Sequence, residues 1–215
     1  MTFLFTWFVK ITAWPVYVLL LRPKTYYENK KVQSRHIRGS AVVVSNHNSI
    51  YDFAVTMFAF PSRMLRCAVA EILYEKNVFM SFFLRALGTI KVDRAAHDFA
   101  FMSTCAKILD RGGVVEIYPE SRLPLPEESR PLEFKPSAIY LALQTGTPII
   151  PICNNGHFFE KRRMRVMIGT PIDVRSLYND ELSERQNIAN ITSHVRGKII
   201  ELIQRLEEKE KQEKR

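Results

Sequence analysis

The chain has 215 residues, is 47% apolar and carries a formal net charge of +9. That length suits one sizeable core better than two. Cys67, Cys105 and Cys153 are odd in number, far apart and without CxxC or Cys/His spacing, so neither a disulfide framework nor a zinc site is suggested and a reducing, cytoplasmic environment is the default.

The first element is "MTFLFTWFVKITAWPVYVLLLRPK", an almost unbroken apolar and aromatic run interrupted by Lys10, Pro15 and a few hydroxyls. It lacks a basic leading region and a small-residue cleavage site, so a removed signal peptide is not expected. Its basic flank follows it: Arg22, Lys24, Lys30, Lys31, Arg35 and Arg38 keep that side on the cytoplasmic face, where they can meet anionic lipid. Trp7, Trp14, Tyr17, Tyr26 and Tyr27 are residue types that settle at head-group level. Residues 1–38 therefore read as a membrane-associated helical segment that spans once, or dips in and bends at Pro15. A buried core helix is the plain alternative.

Beyond it, short apolar runs alternate with helical patterns. "AVVVSN" precedes "IYDFAVTMFAF", "LRCAVA" precedes one helix over "EILYEKNVFMSFFLRAL", and "GTIKV" precedes "AAHDFAFMSTCAKILDRG". "GVVEIYP", "FKPSAIYLALQTG", "TPIIPIC" and "RVMIG" continue the series. This is the alternation of an α/β fold with a largely parallel sheet flanked by helices, over residues 39–197. Gly112, Gly113 and Gly146 fall where helices stop. "ESRLPLPEESRPLEFKP" reads as a long surface loop between a strand and a helix, at the strand ends where such sheets bind ligands. The last stretch, 198–215, begins as an amphipathic helix and ends as a solvated, frayed charge run.

Chemistry concentrates at "VVVSNHNSIYDFAV", where His47 and Asp52 stand five positions apart at a strand's end. Ser49 and Asp52 also make a capping-box-like helix start, so Asp52 as a mere cap is the plain alternative. In the functional reading the first helical turn brings the Asp52 carboxylate against one imidazole nitrogen, fixing the tautomer and leaving the other nitrogen free to take a proton. No GxSxG elbow, GxxxxGK[ST] loop or GxGxxG turn is present. A base without a protein nucleophile suits direct attack by a substrate hydroxyl.

These residues resemble the glycerolipid acyltransferases of the bacterial 1-acylglycerol-3-phosphate type, whose first motif has the form NHxSxxD. "NHNSIYD" matches it at Asn46, His47, Ser49 and Asp52. "GTIKVDR" resembles the second block at Gly88, Ile90, Asp93 and Arg94, and "YPESR" the third at Tyr118, Pro119 and Glu120. Phe134 and Lys135, then "TPIIPI", complete the order. The resemblance implies transfer of an acyl chain from a thioester, on coenzyme A or acyl carrier protein, to the hydroxyl of a lysophospholipid such as lysophosphatidic acid, giving phosphatidic acid, with no metal and no resident cofactor. It implies His47 as base, Asp52 as its orienting partner, and Arg94, Glu120, Arg122 and Lys135 as substrate-binding residues, with Arg94 on the acceptor phosphate. Asn46, Ser49, Gly88 and Pro119 support the motifs. The third block departs from the family form: Ser121, Arg122 and Leu123 stand where the family has glycine, threonine and arginine, so Arg122 aligns with the family arginine only across a one-residue deletion. The lost glycine bears on the loop's backbone geometry.

Other classes fit less well. The charge could draw nucleic acid, but the basic residues cluster beside the apolar segment and not along a reading helix. A metal hydrolase lacks an evident third ligand beside His47 and Asp52. A non-catalytic membrane protein, or acyl transfer to another lysolipid or an aminolipid, are the remaining alternatives.

Overall fold

The computed structural model describes residues 2–92 and 99–213. Its apolar runs form seven strands: β1 (Lys24–Tyr27), β2 (Ala41–Ser45), β3 (Leu65–Ala70), β4 (Ile90–Val92), β5 (Val114–Ile117), β6 (Ile149–Asn154) and β7 (Arg165–Ile168). Helices α1 (Thr2–Leu21), α2 (Asp52–Ala59), α3 (Glu71–Glu75), α4 (Val78–Leu87), α5 (Phe99–Asp110), α6 (Ser137–Thr145) and α7 (Glu184–Glu213) flank them. One sheet runs in the order β1-β7-β6-β2-β5-β3-β4. β6 and β7 are antiparallel; every other neighbouring pair is parallel.

The central strand shows why the expected parallel sheet forms. All five residues of "AVVVS" are buried, because helices cover both faces and no position can be left polar for water. Alternation then decides which layer each valine meets. Val42 and Val44 pack with residues of α5, α6 and α7, whereas Ala41 and Val43 pack with residues of α1 and α2. Each of the three valines contributes ~1.5–3 kcal/mol of burial.

Three sequence expectations are corrected. The helix expected over 71–87 is two helices, broken where Asn77 leaves the helical region and caps α4 by accepting the Met80 N–H at 2.7 Å. The basic flank of the N-terminal segment contributes an edge strand, since β1 pairs with β7 from Lys24↔Arg165 to Tyr27↔Ile168. The last residues of α7 are docked and not frayed: Leu202 and Leu206 are buried against Cys153 and Met167, and Glu213 joins Lys24, Tyr26 and Arg165.

α1 is long and apolar enough to cross a membrane by length and composition. It continues through Pro15. One stripe, Thr6, Lys10, Tyr17 and Leu21, is buried on the domain. Lys10 donates to the carbonyls of Phe60 and Pro61 at 3.2 Å and of Arg63 at 2.5 Å, just past α2. A cation there also suits the negative end of the α2 dipole. Phe3, Leu4, Phe8, Ile11 and Leu19 are exposed on α1, and α4 extends that surface with Val78, Phe79 and Phe82. Phe5 and Phe83 join the two helices edge to face at 6.0 Å.

Candidate active site

The carboxyl end of β2 breaks into polar residues as it leaves the core. His47 is half-buried, its side chain 16% exposed. Its Nδ1 lies 2.8 Å from Oδ2 of Asp52, the first residue of α2. Local chain geometry brings them together. The turn at Ser49 lets Oδ2 also accept the backbone N–H groups of Asn48 at 2.7 Å and Ser49 at 2.8 Å, while Oδ1 accepts the Asn154 side-chain amide at 3.0 Å. Asp52 is fully buried, and each of these partners can donate. With Nδ1–H directed at Asp52, Nε2 is the acceptor nitrogen, and among the described residues it has no hydrogen-bond partner.

Asn154, at the end of β6, was not anticipated. Its amide holds Asp52, its carbonyl accepts from the Asn46 and Asn48 side chains at 3.0 and 3.1 Å, and its backbone N–H donates to Asn46 Oδ1 at 3.0 Å. Asn46 thus zips β2 to β6, and Ser49 serves the helix start, its Oγ accepting the Tyr51 N–H at 3.3 Å. The one available signal was a pair of asparagines, Asn154 and Asn155, ending an apolar strand.

Glu120 is buried and occupied. One carboxylate oxygen accepts the His47 backbone N–H at 2.7 Å and the other the Leu132 N–H at 2.8 Å. Burial raises its carboxyl above the ordinary range, against the lowering effect of those two N–H groups and of His47. These two bonds close the loop and fix the backbone of His47. Pro119 assists by accepting the Lys135 N–H at 2.8 Å, and Arg196 of α7 holds the Pro131 and Leu132 carbonyls from the other side. Lys135 itself is exposed.

Two of the expected substrate-binding residues stand apart from this cluster or outside the described residues. Arg122 turns to Glu128 in a bidentate pair at 2.6 Å and does not join the His47 cluster, because a carboxylate within its own loop matches its planar fork. Arg94, with Asp93, lies outside the described residues. Ser121, in the position of the family glycine, has φ 64°, so serine takes the left-handed backbone that glycine would take more cheaply. Gly88 ends α4 at φ 71°, and a Cβ there would fall 1.4 Å from the Arg66 guanidinium.

Under the imidazole lies a second layer, in which Tyr118 belongs to the third sequence block and Glu116 was not anticipated. The Tyr118 ring stacks on His47 with centroids 4.5 Å apart and planes at 26°. Its hydroxyl donates at 2.6 Å to Glu116, a fully buried carboxyl on β5. Burial pushes Glu116 up to about 8 from 4.5, against hydrogen bonds from Tyr118, Thr56 and Cys67 and with help from the charge of Asp52. Desolvation likewise raises the Cys67 thiol well above its ordinary value, which makes it a poor nucleophile. A cleft of about 560 Å³ borders the site beneath Asn46, Asn48 and Glu120; its cations Arg130, Arg162 and Lys211 are offset by Glu120, Glu207 and Glu210. The arrangement as a whole suits proton removal by Nε2 of His47, with the resulting imidazolium held in plane by Asp52 and flanked by a tyrosine face.

The family described as Acyltransferase matches residues 24–155. Among curated proteins, the chain is 32% identical to 1-acyl-sn-glycerol-3-phosphate acyltransferase beta of Homo sapiens over 112 residues, covering 52% of this chain and 40% of that one. It is 29% identical to the alpha form of Mus musculus over 152 residues, 66% of this chain and 53% of that one. To the 1-acyl-sn-glycerol-3-phosphate acyltransferase of Bacillus subtilis it is 24% identical over 138 residues, 62% and 66% of the two chains. The matched stretch thus spans about half the length of the first two relatives. Among solved structures, the 1-acyl-sn-glycerophosphate (LPA) acyltransferase of Thermotoga maritima shares the fold, with a TM-score of 0.61 at 18% identity over 90% of this chain and 78% of that one.

Proposed function

The chain belongs to the acyltransferase family, and from that premise we propose that it moves a fatty acyl group from a thioester to the hydroxyl of lysophosphatidic acid, giving phosphatidic acid. One observation carries the reading: Nδ1 of His47 is held 2.8 Å from a buried Asp52 carboxylate, and Nε2 has no hydrogen-bond partner among the described residues. The relatives support the choice of acceptor, since each is named for 1-acyl-sn-glycerol-3-phosphate.

In this mechanism the acceptor hydroxyl gives its proton to Nε2 as its oxygen attacks the thioester carbonyl. Asp52 stabilises the imidazolium that forms. When the carbon–sulfur bond breaks, the thiolate leaves and takes the proton from His47. Glu120 and Asn154 hold the His47 backbone and the Asp52 carboxylate, so a shift of either moves the base relative to the attacked carbon. Arg94 binds the acceptor phosphate, and Lys135, exposed at the end of the loop that Glu120 closes, is a second cation for it. The donor is acyl-coenzyme A or acyl-acyl carrier protein.

The same reading sets the protein at the cytoplasmic membrane face. α1 lies along the domain through its Thr6–Lys10–Tyr17–Leu21 stripe, and its outer face continues onto α4. This favours a monotopic helix in the interface over one that crosses, since crossing would strip Lys10 from its three carbonyls. Exposed apolar residues on two adjoining helices, Phe3, Leu4, Phe8 and Ile11 with Val78, Phe79 and Phe82, are the kind of surface that marks a membrane or protein interaction site.

The test gives purified protein in detergent an acyl thioester and lysophosphatidic acid, and follows thiol release together with diacyl product for the parent and for His47→Ala. The parent is expected to form both in equal amounts and the variant to be at least ~100-fold slower. Thiol release without diacyl product, or an unchanged rate in the variant, refutes the mechanism.

A further inference from the structure

A second cleft, of about 450 Å³, lies beside the carboxyl-terminal half of α1, lined by Trp14, Tyr17 and Val18 together with Arg22, Arg35 and Arg163. No carboxylate lines it, and among the described residues none pairs with any of the three arginines. This sets it apart from the cleft at the active site, where cations and carboxylates balance. Two of its three arginines are also held. Arg35 donates through Nε to Ala59 O at 3.0 Å and through Nη2 to Phe58 O at 2.6 Å, and Arg22 donates to the Lys161 carbonyl. Fixed guanidiniums lose little entropy on meeting an oxyanion, and their planar fork matches phosphate.

The backbone adds a second sign. Arg22 follows the last residue of α1 with φ 46°, in the left-handed region where glycine usually ends a helix. Such an angle costs an L-residue ~1–2 kcal/mol, and the residue kept there at that cost lines the cleft. The apolar lining adjoins the exposed face of α1: Trp14 and Val18 are partly exposed in the same turns as Leu19 and Leu20.

We propose that this cleft seats the phosphate of an anionic phospholipid head group, with the acyl chains lying along Trp14 and Val18. The proposal rests on the membrane-surface reading above and adds a specific lipid site to it. Seated so, the lipid would fix how α1 lies in the interface.

Flotation of the full chain with vesicles tests it, using phosphatidylcholine alone and phosphatidylcholine containing roughly one part in four phosphatidylglycerol, at about 0.5 M salt to screen diffuse attraction. The parent is expected to bind both and to prefer the anionic vesicles. Arg163→Gln and Arg22→Gly are each expected to reduce that preference at least ~5-fold, whereas Lys31→Gln with Arg38→Gln leaves it in place. Arg22→Gly also guards against misfolding, because glycine relieves the left-handed angle and its thermal midpoint should equal or exceed the parent's. Equal binding of the parent to both vesicles, or equal losses in the cleft and control variants, overturns the lipid site and leaves the membrane reading standing. Binding to neither vesicle overturns both. Inorganic phosphate that raises the parent's thermal midpoint without any vesicle preference would assign the cleft to a free phosphate and overturn the lipid.

Discussion

Glu116 gives the sharpest test of the layer beneath His47. It is buried to 1% exposure, and desolvation pushes its carboxyl from 4.5 up to about 8. The folded protein therefore keeps a proton that the unfolded chain releases. Because the folded value lies above the unfolded one, the contribution to stability is complete below about pH 4.5 and is lost as pH rises through about 8. Between those values each pH unit removes ~1.4 kcal/mol, so relative to a neutral isostere the carboxyl is worse by about 3 kcal/mol at pH 7 and by up to about 5 above pH 8. Glu116→Gln supplies that isostere, since its amide oxygen can still accept the Tyr118 hydroxyl. Urea unfolding of both proteins in detergent, followed by circular dichroism from pH 5 to 9, is expected to show curves that meet near pH 5 and separate in the variant's favour as pH rises. Parallel curves across that range would refute the assignment of a proton to Glu116.

Ser121→Gly restores the residue that suits a φ of 64° and is expected to stabilise the loop by about 1 kcal/mol while leaving turnover near the parent's; a lower urea midpoint in the variant would show that the serine side chain matters more than its backbone angle. Asp52→Asn keeps the shape of the carboxylate but sets an amide N–H2 among donors from His47, Asn48, Ser49 and Asn154, so turnover should fall at least ~100-fold and stability by about 1–3 kcal/mol. Turnover within a few-fold of the parent would remove Asp52 from the mechanism.

The features legible in the sequence were those whose physics is local. Apolar runs long enough to be strands, helical patterns between them and the polar break after "AVVVS" fixed an α/β sheet and the end of it that carries chemistry, because burial on two faces demands such runs. The His47–Asp52 pair was legible for the same reason, since five residues and one turn span the whole contact. The Asn77 cap that splits α3 from α4 was equally local, and the strength of the apolar pattern on both sides concealed it.

Contacts between distant segments were decided only by the fold. Asn154 meets Asp52 across 102 positions, and nothing in two asparagines after a strand says which carboxylate they will face. The substrate role inherited from the motif did not announce that Glu120 would spend both oxygens on backbone N–H groups, nor that Arg122 would turn to Glu128. β1 pairs with β7 although about 140 residues separate them, and the charged end of α7 docks because Arg165 and Lys24 reach one edge of the sheet together. A motif fixes which groups are present, but each polar group must find a partner once water is excluded, and only the packed structure determines which partner is within reach.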